Sequence, residues 1–458
     1  MKANNSYLHP ISQLSTKISS LNHEQIPDRF YNQVKLSIID TLGVALLANS
    51  IEDFKKMTNV FLDDCKGSSS IWWDKRKSST YNAAFLNSFA AHYFDFDNIL
   101  YSTFGHPNVM ILPALFAIFD SMDFSGKSLL DAAIVGYETM ALIGTYYGNE
   151  LKNKGYHPTP IIGGLGTTAA LSWILNFDEI QIKSALTLTG TTLSGFKSSF
   201  GSMAKSYQVA TSTRESLISV LTLKNNRELQ LEEKWIENLE LISGKNLSDS
   251  EINKRFADPW ELDALSFMYK FYPSCGYFHH AMNELNRIID NSKVNRKKLK
   301  KVHLILPNFI KEADIYSVPN SFKESQFSFV FNIALIIAFE PKKQLVFKDE
   351  HIKNSEIFNA MKKVEIDYIE DRKSIYEDLY YYGWANLVFE DGTVINERMI
   401  LTDNGSDVTL KQIKNKFERI AQTILTQTQI DNFIDLIMNF EHIDSAEWRS
   451  FLYSISHR

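Results

Sequence analysis

His92, Asp95, Asp97 and His106 crowd into one stretch, AAHYFDFDNILYSTFGHPNV from Ala90 to Val109, between the apolar runs AAFLNSFAA and VMILPALFAIF. Charged side chains are seldom buried without a partner or a task. Imidazole beside carboxylate in an apolar frame is the equipment of general acid–base catalysis. Asp95 and His106 are the expected proton-transfer pair, with His92 and Asp97 in supporting or structural places. The same four could ligate zinc or manganese, which keeps a metal-dependent hydrolase open as a different class of reading. No HExxH or comparable motif supports it.

Four later segments add candidates. In GYHPTP at 155–160 the prolines stop any incoming helix and leave His157 on a loop before a glycine-rich helix start. The glycines of GGLG at 163–166 do not spell GxGxxG and follow no strand, so they read as close helix–helix contact. SSFGSMAK at 198–205 sets Lys205 among small residues, and KFYPSC at 270–275 joins Lys270 to Cys275 with His279 and His280 behind. A lysine at such places can meet an anionic substrate. SQFSFVF at 325–331 reads as helix packing.

Helices must position most of these groups. Val34, Ile38, Leu42 and Leu46 share a face, and Leu129–Leu151, Gly163–Leu175 and Ser216–Leu223 are further helical stretches. The pattern changes after Lys300. Val302–Leu306 and Val364–Ile369 read as strands, and Trp384–Glu390 and Thr393–Met399 flank Asp391-Gly392 as a hairpin with a type I′ turn. Phe327–Phe339 is expected as a helix on that sheet; Leu410–Leu425 and Ile430–Phe440 return to helical spacing. The expected fold is mainly α with an α+β part in two domains: residues 1–268 helical, 269–401 an α+β lid, and 402–458 a return to the helical domain. Asn225–Asn253 is polar and reads as a surface excursion.

Composition narrows the partners. The 458 residues are 44% hydrophobic and 22% charged, with net charge −6, the make-up of a globular protein and a poor match to phosphate backbones. The basic run at Arg296, Lys297, Lys298, Lys300 and Lys301 reads as a solvated linker. Cys65 and Cys275 are too few for a four-thiolate iron–sulfur cluster and are expected reduced. The first residues lack the apolar core of a secretion signal, and the longest apolar runs are short for a bilayer. A cytoplasmic protein with neither nucleic-acid nor membrane partners is expected.

In this order the segments resemble the MmgE/PrpD family over nearly the whole chain. The resemblance rests on IDTLGVALLA at 39–48, HYFDFDN at 92–98, GHP at 105–107 and GYE at 136–138. GYHPTP-x2-GGLGTTAA at 155–170, GSMAK at 201–205, KFYPSC-x3-H at 270–279 and KF at 416–417 complete it. It implies a helical domain with an α+β lid, a homodimer, and a cofactor-free, metal-free active site between the domains. Asp95, His106, His157 and Lys205 would be catalytic; Lys270, Ser202, Cys275 and Gln208 would bind substrate. The implied substrate is a small polycarboxylate and the step a proton transfer beside a carboxylate. Dehydration of a 2-methylcitrate-like acid is expected first, then decarboxylation of a cis-aconitate-like acid or epimerisation of an iminodisuccinate-like one. The chain departs from the family pattern at Asn98, Ile99, Gln208 and Phe331. These changes give a third reading, a non-catalytic member that binds a small acid.

Overall fold

The computed structural model describes residues 10–62, 66–224, 226, 231, 235–246, 260–263, 267–341, 344–345, 347–369, 382–401, 408–422 and 424–456. Cys65 and most of Asn225–Asn253 lie outside them.

Helices build the first part of the chain. Asn108–Phe119 and Pro158–Ile174 are apolar on every side and buried almost throughout, as interior helices of a bundle must be. Pro158–Ile174 packs against Gly126–Asn153, Glu179–Gly190, Ala204–Leu223 and Asn108–Phe119. Glycine permits the closest of these contacts. A Cβ at Gly166 would stand 2.8 Å from the Gly136 carbonyl oxygen, and one at Gly163 2.5 Å from the Met110 sulfur. The GGLG stretch is therefore a packing device. Glu138, beside Gly136, accepts the backbone N–H groups of Glu261 (2.9 Å) and Leu262 (3.1 Å), tying down the turn that leads toward Lys270.

The second part carries a four-stranded sheet ordered Val364–Ile369, Leu299–Pro307, Tyr382–Phe389, Val394–Ile400. The first pair is parallel, with Val302 opposite Val364, and the others are antiparallel. The helix Phe329–Ala338 lies in the crossover between the parallel strands, as a parallel pair requires. Chain then returns to the bundle, where Leu410–Ala421 packs on Tyr31–Leu46 and Phe417 fills the space beside Gly43.

Three local expectations need correction. The hairpin turn is a three-residue loop: the Gly392 N–H donates to the Phe389 oxygen (3.1 Å), and only Gly392 is left-handed, at φ +88°. A type I′ turn needs two such residues; here a type I turn is closed by a glycine bulge. Arg296 is buried, donating to the Ile336 and Phe339 carbonyls (2.9 and 3.1 Å) and to Asn286 (3.1 Å), and Leu299 already opens a strand. That run is a helix clamp and strand start, not a linker. Within the supposed surface excursion, Trp235–Ser243 is a helix that buries Trp235 and Leu239. Among the described residues, no single helix is long and apolar enough to cross a membrane.

Candidate active site

The site begins where a helix stops. Ser79 caps the start of Thr80–Tyr93, and past its other end Asp95 turns left-handed, at φ +48°. That conformation is uncommon outside glycine, and a short polar side chain such as asparagine or aspartate adopts it where local hydrogen bonds hold it. Lys270 holds it by donating to both the Asp95 carbonyl (2.9 Å) and its carboxylate Oδ1 (2.9 Å). A short ladder brings Lys270 there: Ile99 and Leu100 pair with Met268 and Phe267, two residues before it. The Ala204–Leu223 helix delivers Lys205 from the opposite side, 3.0 Å from Asp95 Oδ1.

Hydrogen-bond chemistry fixes the proton positions. His92 Nδ1 lies 3.1 Å from both oxygens of Asp97, and His106 Nδ1 lies 2.7 Å from Asp97 Oδ2 and 3.1 Å from the Asn98 carbonyl. Carboxylate and carbonyl oxygens only accept, so Nδ1 is the N–H in both rings. His92 Nε2 then accepts from the Lys205 ammonium at 2.7 Å. His106 Nε2 is left as a bare lone pair, 3.9 Å from Asp95 Oδ1, on a residue that lines an open cleft. It is a base held in place by Asp97.

Electrostatics agree. Burial would raise the Asp95 pKa, but the Lys205 and Lys270 ammoniums hold it well below the carboxylate range. Asp97 is likewise held low against its burial, by His92 and His106. Burial, reinforced by Lys205, lowers His92 to about 3. Burial also lowers His106, with Asp97 opposing, and His157. All three imidazoles are therefore neutral near pH 7.

The support beneath the loop is also ionic. Lys416, buried in the returning C-terminal helix, donates to the Phe96 carbonyl (2.7 Å) and lies 2.6 Å from Asp40. Two lysines, Lys270 and Lys416, thus hold the successive carbonyls of Asp95 and Phe96. Asn98 donates to Ser37 and accepts from Asn108, and Thr159 accepts the His106 backbone N–H.

The cleft above holds about 800 Å³, counting the solvent at its mouth, and both parts of the chain line it. Asp95, His106, His157, Lys205, Lys270 and Cys275 all line it, so six of the eight expected site residues come together. Ile99, Phe104, Phe200, Ile315 and Phe327 supply apolar wall. Ser202 and Gln208 do not reach it and are corrected. Ser202 is exposed and donates to the Ser199 carbonyl (2.6 Å); Gln208 accepts the Phe196 N–H (2.6 Å) and so braces a loop. Phe331 is buried in its helix away from this wall. Sequence reasoning missed Lys416, Thr159, Lys152 and Lys197, the last three also on the cleft. Proximity of Lys197 to GSMAK was the one available signal.

His92, Asp95, Asp97 and His106 present ligand atoms within 4.8 Å of one another, the set weighed for a metal. Except for His106 Nε2, their donor atoms are already committed. Asp97 takes both Nδ1 protons, and the ammoniums occupy His92 Nε2 and Asp95, where a cation would meet two positive charges. This donor set suits proton transfer and not a metal ion.

The MmgE/PrpD N-terminal domain model matches residues 12–227 and the C-terminal domain model residues 272–442. The chain belongs to the MmgE/PrpD family. Two curated relatives align with most of the chain. The cis-aconitate decarboxylases of Mus musculus and Homo sapiens are each 23% identical over 94% of this chain, covering 90% and 92% of their own lengths. A cis-aconitate decarboxylase-like protein of Aspergillus oryzae is 24% identical over 47% of the chain and 46% of its own. In this MmgE/PrpD protein the two matched regions meet at the cleft: His106 and His157 come from the first, Cys275 and Phe327 from the second.

Proposed function

We propose that this MmgE/PrpD protein is a lyase that decarboxylates a small unsaturated tricarboxylate of the cis-aconitate type through its own side chains, without a cofactor. The observation that carries the reading is the neutral His106, its Nδ1–H on Asp97 and its Nε2 bare beside the Lys205–Asp95 pair. A polyanion entering the cleft favours the imidazolium form, and Asp97 stabilises that charge. The bond to the departing carboxylate then breaks, its electron pair forms a new double bond, and the old π pair takes the proton from His106. Carbon dioxide leaves, and solvent reprotonates the ring. Apolar walls at Ile99, Phe104 and Phe200 favour loss of a desolvated carboxylate. His157, which also lines the cleft, meets the charge that builds on the carboxylate that stays.

Two near-full-length decarboxylase relatives favour this over dehydration of a 2-methylcitrate-like acid, the activity expected first from sequence. Product NMR with cis-aconitate, 2-methylcitrate and iminodisuccinate tests the choice. Loss of one carboxyl carbon from cis-aconitate supports it. A new alkene from 2-methylcitrate makes the protein a dehydratase, and epimerised iminodisuccinate an isomerase. No turnover of any of them leaves an acid-binding member without catalysis. From the family likeness alone we also propose a cytoplasmic homodimer, which sedimentation of the purified chain tests for its oligomeric half.

A further inference from the structure

The cleft's lysines divide sharply by what they touch. Lys205 and Lys270 were expected to hold substrate carboxylates, yet both ammoniums are spent on Asp95, at 3.0 and 2.9 Å. Lys152 is paired with Glu312 at 2.8 Å and lies over the Phe104 and Tyr277 rings. Asp97 balances the remaining charge behind the histidines, which are neutral. Lys197 lines the same cleft, half-buried, and among the described residues its ammonium has no acidic partner. The surplus charge of the cleft is therefore at Lys197.

Its backbone is built to present it. Tyr156 and Phe196 form an isolated antiparallel bridge: the His157 N–H donates to the Gly195 oxygen (3.1 Å) and the Lys197 N–H to the Gly155 oxygen (2.9 Å). Gln208 clamps the centre of this bridge through Phe196 (2.6 Å), and the Tyr156 and Phe196 rings pack at 5.7 Å. Gly195 lets the segment close, since a Cβ there would stand 2.5 Å from Pro160. The bridge sets His157 and Lys197 two residues apart along one short ladder, about 7 Å of backbone. His157 is 2% exposed, lines the cleft, and its Nδ1 has no hydrogen-bond partner. One braced unit thus sets an imidazole and a cation on the cleft.

We propose that Lys197 is the residue that anchors the substrate's far carboxylate, and that Gln208 positions it; the assignment rests on the polycarboxylate reading above. The ligand class is a tricarboxylate, whose third negative charge needs a cation that Asp95 has not already taken. Such a charge-assisted contact changes affinity by roughly tenfold to a hundredfold. A contact remote from the reacting carbon is made equally in ground and transition states, so it sets KM and leaves kcat.

Calorimetric binding of propane-1,2,3-tricarboxylate, which cannot react, and of 2-methylsuccinate, which lacks one of its terminal carboxylates, tests this on the full chain. Wild type is expected to prefer the tricarboxylate, and Lys197→Met to lose roughly tenfold to a hundredfold of that affinity and most of the preference. Lys197→Arg should recover much of it, and Gln208→Ala should lose a smaller part. The turnover substrate should show KM raised in Lys197→Met with kcat nearly unchanged. Equal tricarboxylate affinity in Lys197→Met and wild type overturns the assignment while sparing the lyase reading. Wild type that binds neither acid overturns the polycarboxylate reading, and the assignment with it.

Discussion

Asp95→Asn is the cleanest perturbation of this site. Asparagine tolerates the left-handed backbone that Asp95 adopts at φ +48°, and it has the same shape, so the change removes charge and little else. What remains is two buried ammoniums, Lys205 and Lys270, whose shared carboxylate stood 3.0 and 2.9 Å away. Breaking a buried pair by removing one partner costs about 3–5 kcal/mol. Unfolding entropy of about 2.1 cal/mol/K per residue gives a chain of 458 residues roughly 1 kcal/mol per kelvin. Tm should then fall by about 3–5 °C if the chain unfolds in one step. The sign of the pH dependence is a second check. An ammonium buried without its anion has a folded pKa below its unfolded value of about 10.4, so the unfolded state binds more protons between the two. Stability rises with pH in that window. Calorimetry at pH 7 and pH 9.5 should show the deficit of Asp95→Asn narrowing at the higher pH. A variant that melts within about 1 °C of wild type at pH 7, with no change in the gap at pH 9.5, would refute the reasoning.

Other perturbations follow the same contacts. His106→Gln should lower kcat by roughly 10²–10⁴ in steady-state assays while the chain stays folded by circular dichroism. Lys416→Met strands the Asp40 carboxylate and should destabilise by about 3–5 kcal/mol in urea titrations, whereas adding Asp40→Asn should restore much of that loss. Acid should weaken the fold before the carboxylates titrate. His92 stays neutral down to about pH 3 when folded but protonates near 6.5 when unfolded, so below 6.5 the unfolded state binds more protons. Stability should decline as pH falls through that window, by at most about 1.4 kcal/mol per unit for each such histidine, in urea titrations at pH 7 and 5.

Local signals in the sequence carried far. Apolar periodicity found the helix Tyr31–Leu46, and clean alternation found Val364–Ile369. The crowding of His92, Asp95, Asp97 and His106 marked the buried cluster beneath the cleft, because buried ionisable groups are rare enough to be conspicuous. What escaped notice depends on distant contacts. Lys416 reaches the Phe96 carbonyl across 320 residues, and nothing around KF marks that partner. The residue type of Lys205 and Lys270 points to negative charge, but that the charge they meet is Asp95 depends on packing. Ser202 shares the GSMAK motif with Lys205 and Gln208 follows it, yet of the three Lys205 alone is buried and on the cleft. Asp-Gly suggested a two-residue turn, and the preceding Glu390 joined the loop instead.

The central claim is that His106 delivers a solvent-derived proton to a carbon of the substrate. Turnover of cis-aconitate in D2O, followed by NMR and mass spectrometry of the product, measures that transfer. One carbon-bound deuterium per product molecule is expected with wild type, and loss of turnover with His106→Gln. Product free of solvent deuterium, or His106→Gln forming labelled product at the wild-type rate, would contradict it.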